Sequence, residues 1–323
     1  MLGTMQKENP SGRPHAPPEL LLLIVPILWG WGYPLVRESM SVVGPLTFLW
    51  LRFATAAVAL LVVAGRHLPR TDASTWRTGL LCGATLFCAY ATMNAGLVFT
   101  TTASAGFVIG LRVVLVPLLG ALLFGLRIPR VSWLAATVSV IGLVLIFFGD
   151  ALLGAGGNGA AGDSARLAPN PGDLIMVASA AFFAIHVLLI GRLTGAGSSP
   201  AFAFIQMLTV TALGTAPALL LEPQLFPPQA FVWQNALFAG LFSSAAAFWI
   251  QSRFQHRTTS DRAGIIYSGE PLFAAFFGFL YLGEALQGLE WLGAACIVAA
   301  MALAQLPRIR RGFRGMTRRW SRS

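Results

Sequence analysis

Ten long apolar stretches follow one another along the 323 residues, and almost every Lys and Arg falls in alternate gaps between them. They cover 20–36, 44–63, 80–99, 104–126, 131–148, 174–190, 201–221, 231–250, 263–282 and 289–306. Each approaches the roughly 20 residues a helix needs to cross the hydrocarbon layer, where every backbone group must be satisfied within the element. One such run can be a buried helix of a soluble protein; ten cannot. The expected fold is an all-α membrane protein with ten transmembrane helices.

Composition supports this reading. Hydrophobic residues make up 56% of the chain and charged residues only 11%, a balance that no ordinary soluble core requires. The first stretch reads as a retained span rather than a cleaved signal, since 1–19 is long, holds only Lys7 and Arg13 as basic residues, and leads to no small-residue cleavage pattern. Cys82, Cys88 and Cys296 all lie inside apolar stretches, which suits packing and neither a disulfide scaffold nor a metal cluster. Four scattered histidines give a metal site no support, and no cofactor is expected.

The formal charge of +10 would suggest nucleic acid in a soluble protein, but seven arginines sit in the tail after the last span. Anionic lipid at a cytoplasmic face attracts such a tail. With no fold for reading bases apparent, membrane lipid is the expected partner and nucleic acid is not.

The charge map also sets orientation. With the amino terminus inside, 18 Lys and Arg residues fall in cytoplasmic segments and only Arg37 and Arg166 outside, while Arg52 and Arg112 lie within spans. This bias predicts both termini in the cytoplasm, which an even number of spans permits. The expected organisation is a cytoplasmic segment 1–19, a first five-helix unit 20–148, an extracytoplasmic linker 149–173 containing GAGGNGAAGD, a second five-helix unit 174–306 and a basic cytoplasmic tail 307–323.

Shifting the first half by 158 positions lays Thr100 and Thr101 on Thr258 and Thr259, Gly106 on Gly264, Arg112 on Glu270 and Gly125 on Gly283. The identities are few, but the two segments also agree in hydrophobic profile and in their place as fourth span of each half. Five is odd, so the second copy must enter the membrane from the opposite side. Inverted repeats of this kind are a common basis of alternating access around a central site. Two unrelated helical halves of shared composition are the alternative.

Trp29 and Gly30, then Leu51, Arg52 and Phe53, and above all the run QHRTTSDRAGIIYSGEPLFAAFFGFLYLGE from Gln255 to Glu284 carry a family likeness. With Ser260, Arg262 and Ala263 at its start, Glu270 and Pro271 in its middle and Gly283 and Glu284 at its end, the run resembles the second-domain signature of the drug/metabolite transporter superfamily, in its ten-helix family with duplicated five-helix domains. That resemblance implies a secondary transporter of the cell inner membrane, an exporter of amino acids, other metabolites or drugs, and in general character it is most similar to the aromatic amino acid exporters. The first copy departs from the pattern at Val113, where a proline is common, and at Leu126, where an acidic residue often follows the glycine.

Ionisable groups deep in a span are costly unless paired or wetted, and by default they suggest a substrate or ion path. Arg112 and Glu270 lie at similar depth on oppositely directed helices, so either they lock helix packing as a salt bridge or they contact cargo, Arg112 a carboxylate and Glu270 an amine, a cation or a proton. Pro271 removes a backbone donor, predicting a bend that frees a carbonyl near Glu270. Tyr267 and Ser268 would extend the same lining. Arg52 fits an architectural or gating role, or snorkels to an interface. His186 could couple transport to protons or simply pack.

Trp29, Tyr90, Asn94, Gln206, Trp249 and Gln251 are further candidates, because aromatic faces hold apolar groups or cations and amides orient a zwitterion. Interface belts and helix packing explain the same residue types. Gly106 and Gly110 permit close helix contact, and Gly283 a tight turn.

The preferred reading is an exporter of a small, zwitterionic metabolite such as an amino acid, with proton coupling and gradient-driven facilitation both open. No GKS or GKT phosphate loop is present, so direct ATP drive is not expected. A small-molecule channel and an exporter of cationic drugs are the alternatives. An intramembrane enzyme using Glu270 and His186 is weaker, since no nucleophile has motif spacing.

Overall fold

The computed structural model describes residues 17–97, 99, 107–152, 171–193, 200–222, 226–282 and 288–320, and no strand occurs among them. Gly106, the Gly283–Glu284 turn, Thr100 and Thr101, Arg166 and the GAGGNGAAGD segment lie outside the described residues. The described helices are α1 (Pro18–Leu22), α2 (Ile24–Ser39), α3 (Pro45–Ala64), α4 (Ala73–Leu97), α5 (Arg112–Phe124), α6 (Arg130–Leu152), α7 (Pro171–Leu193), α8 (Pro200–Leu221), α9 (Ala230–Phe238), α10 (Ala247–Phe254), α11 (Ser260–Tyr267), α12 (Glu270–Leu282) and α13 (Leu289–Trp320). A π-helical segment, Ala239–Ala246, joins α9 to α10 without a break in the rod.

Local chemistry sets many of these ends. Proline opens α3, α7 and α8 and stands second in α12, where a missing N–H costs nothing because first-turn donors have no acceptor within the helix. Gly125, at φ 61°, closes α5: its N–H bonds the Ala121 carbonyl at 3.0 Å and the Leu126 N–H bonds that of Gly120 at 3.0 Å. Helix α3 lacks a cap of its own. Glu222, just past α8, supplies one, its carboxylate accepting from the Leu46 and Thr47 N–H groups at 2.9 and 2.7 Å.

Six helical stretches among the described residues are long and apolar enough to cross a membrane: Pro18–Val36, Pro45–Ala64, Leu174–Leu193, Pro200–Leu221, Ala230–Arg257 and Ser260–Tyr281. The apolar parts of α5, α6 and α13 are shorter. Val58, Val62, Leu122, Leu123, Leu220, Phe279 and Leu292 stand exposed on the surface. Such side chains suit lipid tails as their solvent, and the protein is a multi-pass membrane protein.

Several boundaries differ from those expected. Helix α4 starts at Ala73 rather than residue 80, because polar flanking residues continue a helix that hydropathy cannot follow. The last helix runs on to Trp320, through the basic segment expected to begin at 307. The fourth and ninth stretches are each interrupted, at Leu111 and at Ser268–Gly269.

Helix contacts come in matched pairs, as an internal repeat produces. Helix α4 packs on α7 as α2 packs on the α9–α10 rod; α5 packs on α7 as α12 packs on α2; and α8 lies on α3, α11 on α5 and α13 on α6. Glycines mark the closest approaches at corresponding places. A Cβ at Gly83 would lie 2.6 Å from Thr209 Cβ, and one at Gly240 would lie 2.7 Å from Thr55 Cβ. Where α6 crosses α13, a Cβ at Gly142 would meet the Gly293 carbonyl at 2.7 Å, and one at Gly293 would meet that of Gly142 at 2.7 Å. Van der Waals contact and buried small residues hold helices together where lipid offers no hydrophobic drive.

Substituting Gly142→Ala or Gly293→Ala is therefore expected to lower the thermal midpoint of the detergent-purified protein, at a cost of about 1–3 kcal/mol from overpacking. Gly214→Ala, whose Cβ would meet only a Phe87 ring carbon at 3.9 Å, is expected to leave it unchanged.

Candidate functional site

Two interrupted helices meet at the centre. The first has helical residues 107–110, a tight turn at Leu111 and then α5, which begins at Arg112; the second ends α11 at Tyr267, turns at Ser268–Gly269 and begins α12 at Glu270. In the second copy the cause is covalent. Pro271 has no N–H, so the Tyr267 carbonyl four residues back has no helical donor, and Arg112 Nη2 donates to it at 2.9 Å. The first copy breaks without a proline, with the Leu111 N–H shared between the Phe107 and Val108 carbonyls at 3.2 and 3.1 Å.

Arg112 and Glu270 form a direct ion pair, Nη2 against Oε2, and both are buried. Each stands at the first position of its helix. The positive end of α12 favours the Glu270 carboxylate, whereas that of α5 opposes the Arg112 guanidinium, so Arg112 depends on Glu270 and the Tyr267 carbonyl.

Aromatic rings surround the pair. The Arg112 guanidinium carbon lies 5.4 Å from the Trp29 ring and 6.0 Å from that of Phe183. Trp29 packs on Tyr267 at 5.3 Å and on Phe248 at 5.5 Å, and its indole nitrogen has no hydrogen-bond acceptor among the described residues. Tyr90 stands edge-on to both Phe53 and Phe183, each at 5.1 Å. Arg52, buried on α3, donates from Nε to Ser244 Oγ at 2.6 Å and from Nη2 to the Ser243 carbonyl at 3.1 Å, both in the π-helical segment. A π turn shifts backbone carbonyls out of their usual pairing, which makes one available to a side chain.

A polar layer lies beside this cluster. His186 Nε2 bonds Gln206 Oε1 at 2.9 Å, and Gln206 reaches Ser252 at 3.3 Å. The Tyr267 hydroxyl donates to Gln255 Oε1 at 3.1 Å, as does Gln251 Nε2 at 2.9 Å. The Gln255 amide donates to the Val187 carbonyl. Ser139 donates to Ser268 at 2.8 Å, and Ser132 bonds Asp261. Glu19 meets Thr258 at 2.8 Å and Arg262 at 3.8 Å, tying α1 to the start of α11.

The structure thus gathers Arg112, Glu270, Trp29, Tyr90, Tyr267, Arg52 and Phe248, with His186, Gln206, Gln251 and Ser268 in the adjoining network. It does not gather every candidate. Asn94 bonds the Pro45 carbonyl at 3.4 Å and ties α4 to the start of α3. Trp249 is exposed, with no ring or hydrogen-bond partner among the described residues. Gly110 seats Leu143, whose Cδ1 would lie 2.8 Å from an added Cβ. Phe53, Phe183, Phe248, Ser243, Ser244 and Gln255 were missed as site residues.

No group of three or more His, Cys, Asp and Glu side chains comes together among the described residues as a metal site requires. An all-α, multi-span fold organised around a charged pair between two broken helices is the build of a membrane transporter. The EamA-like transporter family matches residues 17–148 and 170–305, and the chain belongs to that family. The chain is similar to an uncharacterized transporter of Archaeoglobus fulgidus, 26% identical over 89% of this chain and 85% of the relative. A chloroplastic WAT1-related protein of Arabidopsis thaliana is 23% identical over 90% of this chain and 70% of its own length. A solved crystal structure, 22% identical, shares the fold with a TM-score of 0.72 over 91% of this chain and 98% of the other.

Replacing one partner of the buried pair strands the other's charge, so Arg112→Gln and Glu270→Gln are each expected to destabilise by about 3–5 kcal/mol. The double variant removes both charges and is expected to recover much of that loss. Thermal unfolding of the three proteins in one detergent tests this, and a double variant as unstable as the sum of the singles would count against the pair.

Proposed function

We propose that the protein is a secondary transporter that exports small organic metabolites, amino acids among them, across the cell inner membrane by alternating access. In this reading ten spans form two inverted five-helix repeats with both termini in the cytoplasm. The 18-to-2 distribution of Lys and Arg supports the orientation. The paired helix contacts and the two stretches of similar length matched by the family support the duplication.

The observation that carries the proposal is the meeting of two helices broken one residue before a charged group, with Arg112 and Glu270 face to face in an aromatic surround. Broken helices at mid-membrane depth give a carrier its substrate site, because the freed backbone and helix ends are tolerated only around a cavity. The His186–Gln206–Ser252 network is a route by which proton coupling would enter.

Purified protein in liposomes should catalyse saturable counterflow of a small amino acid or related metabolite. The Arg112→Gln/Glu270→Gln double variant should stay folded yet exchange at least ~10-fold more slowly, since it keeps the packing but loses the charges. Exchange at the wild-type rate would remove the pair from the transport path. A reporter fused within 149–173 should be reached only by an impermeant label from outside, and cytosolic exposure would reject the proposed threading.

A further inference from the structure

Charge accounting around the site leaves one group over. Arg112 is matched by Glu270 and the Tyr267 carbonyl, whereas Arg52 has no carboxylate among the described residues. Its acceptors, Ser244 Oγ and the Ser243 carbonyl, are neutral. They account for two of the five N–H donors a guanidinium carries. The residue is 9% exposed, so the group is largely withdrawn from bulk solvent without being sealed. A buried, uncompensated cation is costly, and architecture alone could be met by a neutral donor.

Aromatic rings surround it. The Arg52 guanidinium carbon lies 5.6 Å from the Phe53 ring and 5.7 Å from the Tyr90 ring. Tyr90 packs on Phe183, which flanks Arg112, and Phe53 faces Phe248 at 6.4 Å, which in turn packs on Trp29. One wall of aromatic rings therefore joins the Arg52 guanidinium to the neutralised pair, leaving a net single positive charge beside aromatic rings.

We propose that Arg52 is the anion anchor of the transport site, binding the carboxylate of a cargo whose flat apolar body lies on Phe53, Tyr90 and Phe183 while the Arg112–Glu270 pair stays closed. The proposal deepens the transporter reading and rests on it. It makes the carboxylate of the cargo essential and its amine dispensable, because the acidic group at the site is already engaged by Arg112.

Three probes separate these groups: phenylalanine, 3-phenylpropionate, which lacks the amine, and phenylalaninamide, which lacks the carboxylate. Binding is read as the rise in thermal midpoint of purified protein, and transport as competition in liposome counterflow. Wild type should bind 3-phenylpropionate within about 3-fold of phenylalanine and phenylalaninamide at least ~10-fold more weakly, the worth of one charge-assisted hydrogen bond. Arg52→Gln should lose the preference for carboxylate over amide. Arg52→Lys, which keeps the charge without the planar fork, should keep the preference at an affinity about 10-fold lower. Should Arg52→Gln not fold, the Arg52→Lys result decides alone: wild-type affinity for the carboxylates would overturn the anchor. Retained discrimination in a folded Arg52→Gln protein, or equal wild-type binding of amide and acid, would overturn it as well. Carboxylate-selective binding that depends on Arg52, without any exchange in liposomes, would sink the transporter reading and leave the anchor standing.

Discussion

Hydrocarbon cannot hydrogen bond, and from that one constraint most of the architecture follows. Every backbone donor and acceptor in a span must be used inside the helix, so a break is tolerated only where another protein group completes it. Pro271 leaves the Tyr267 carbonyl without its helical donor, and the Arg112 side chain from the other half supplies one. The defect in one helix and the charge in the other are thus two parts of a single satisfied arrangement. Glu270 completes it by neutralising the guanidinium that the carbonyl alone could not stabilise.

The same economy appears at the edges of the centre. The π-helical segment displaces its carbonyls, and Arg52 takes that of Ser243. Ser243 itself donates to the Leu28 carbonyl of α2, so one irregular turn links α3 to the first membrane helix. The π-helical segment and the turn before Glu270 both lie where helices from the two halves touch. Close glycine contacts such as Gly142 with Gly293 then bring the helices near enough for short side chains to reach across.

Much of this was legible before any coordinates. The apolar stretches gave the helices to within a few residues, except where polar continuations lengthened α4 and α13. Arg112 and Glu270 stood out because an ionisable group in a span demands an explanation, and Pro271 because it must disturb the helix that carries Glu270. The aromatic partners were harder to see. Phe53, Phe183 and Phe248 are ordinary residues in a membrane helix, and nothing local distinguishes a ring beside a guanidinium from a ring beside lipid. Trp249 and Asn94 show the converse: their chemistry suited a site, but the face each occupies turns one to the exterior and the other to a helix start.

Sequence alone determined that the chain is a multi-pass helical protein and that Arg52, Arg112 and Glu270 lie within apolar stretches, because hydropathy and the cost of burying charge act on composition and spacing. Tertiary structure decided which charged groups meet: Arg112 pairs with Glu270, and Arg52 bonds the neutral Ser244 hydroxyl and Ser243 carbonyl. That choice depends on which faces of separate helices turn toward one another. Packing across the two halves sets those faces, through contacts between residues more than 150 positions apart, as in the Arg112–Glu270 separation of 158.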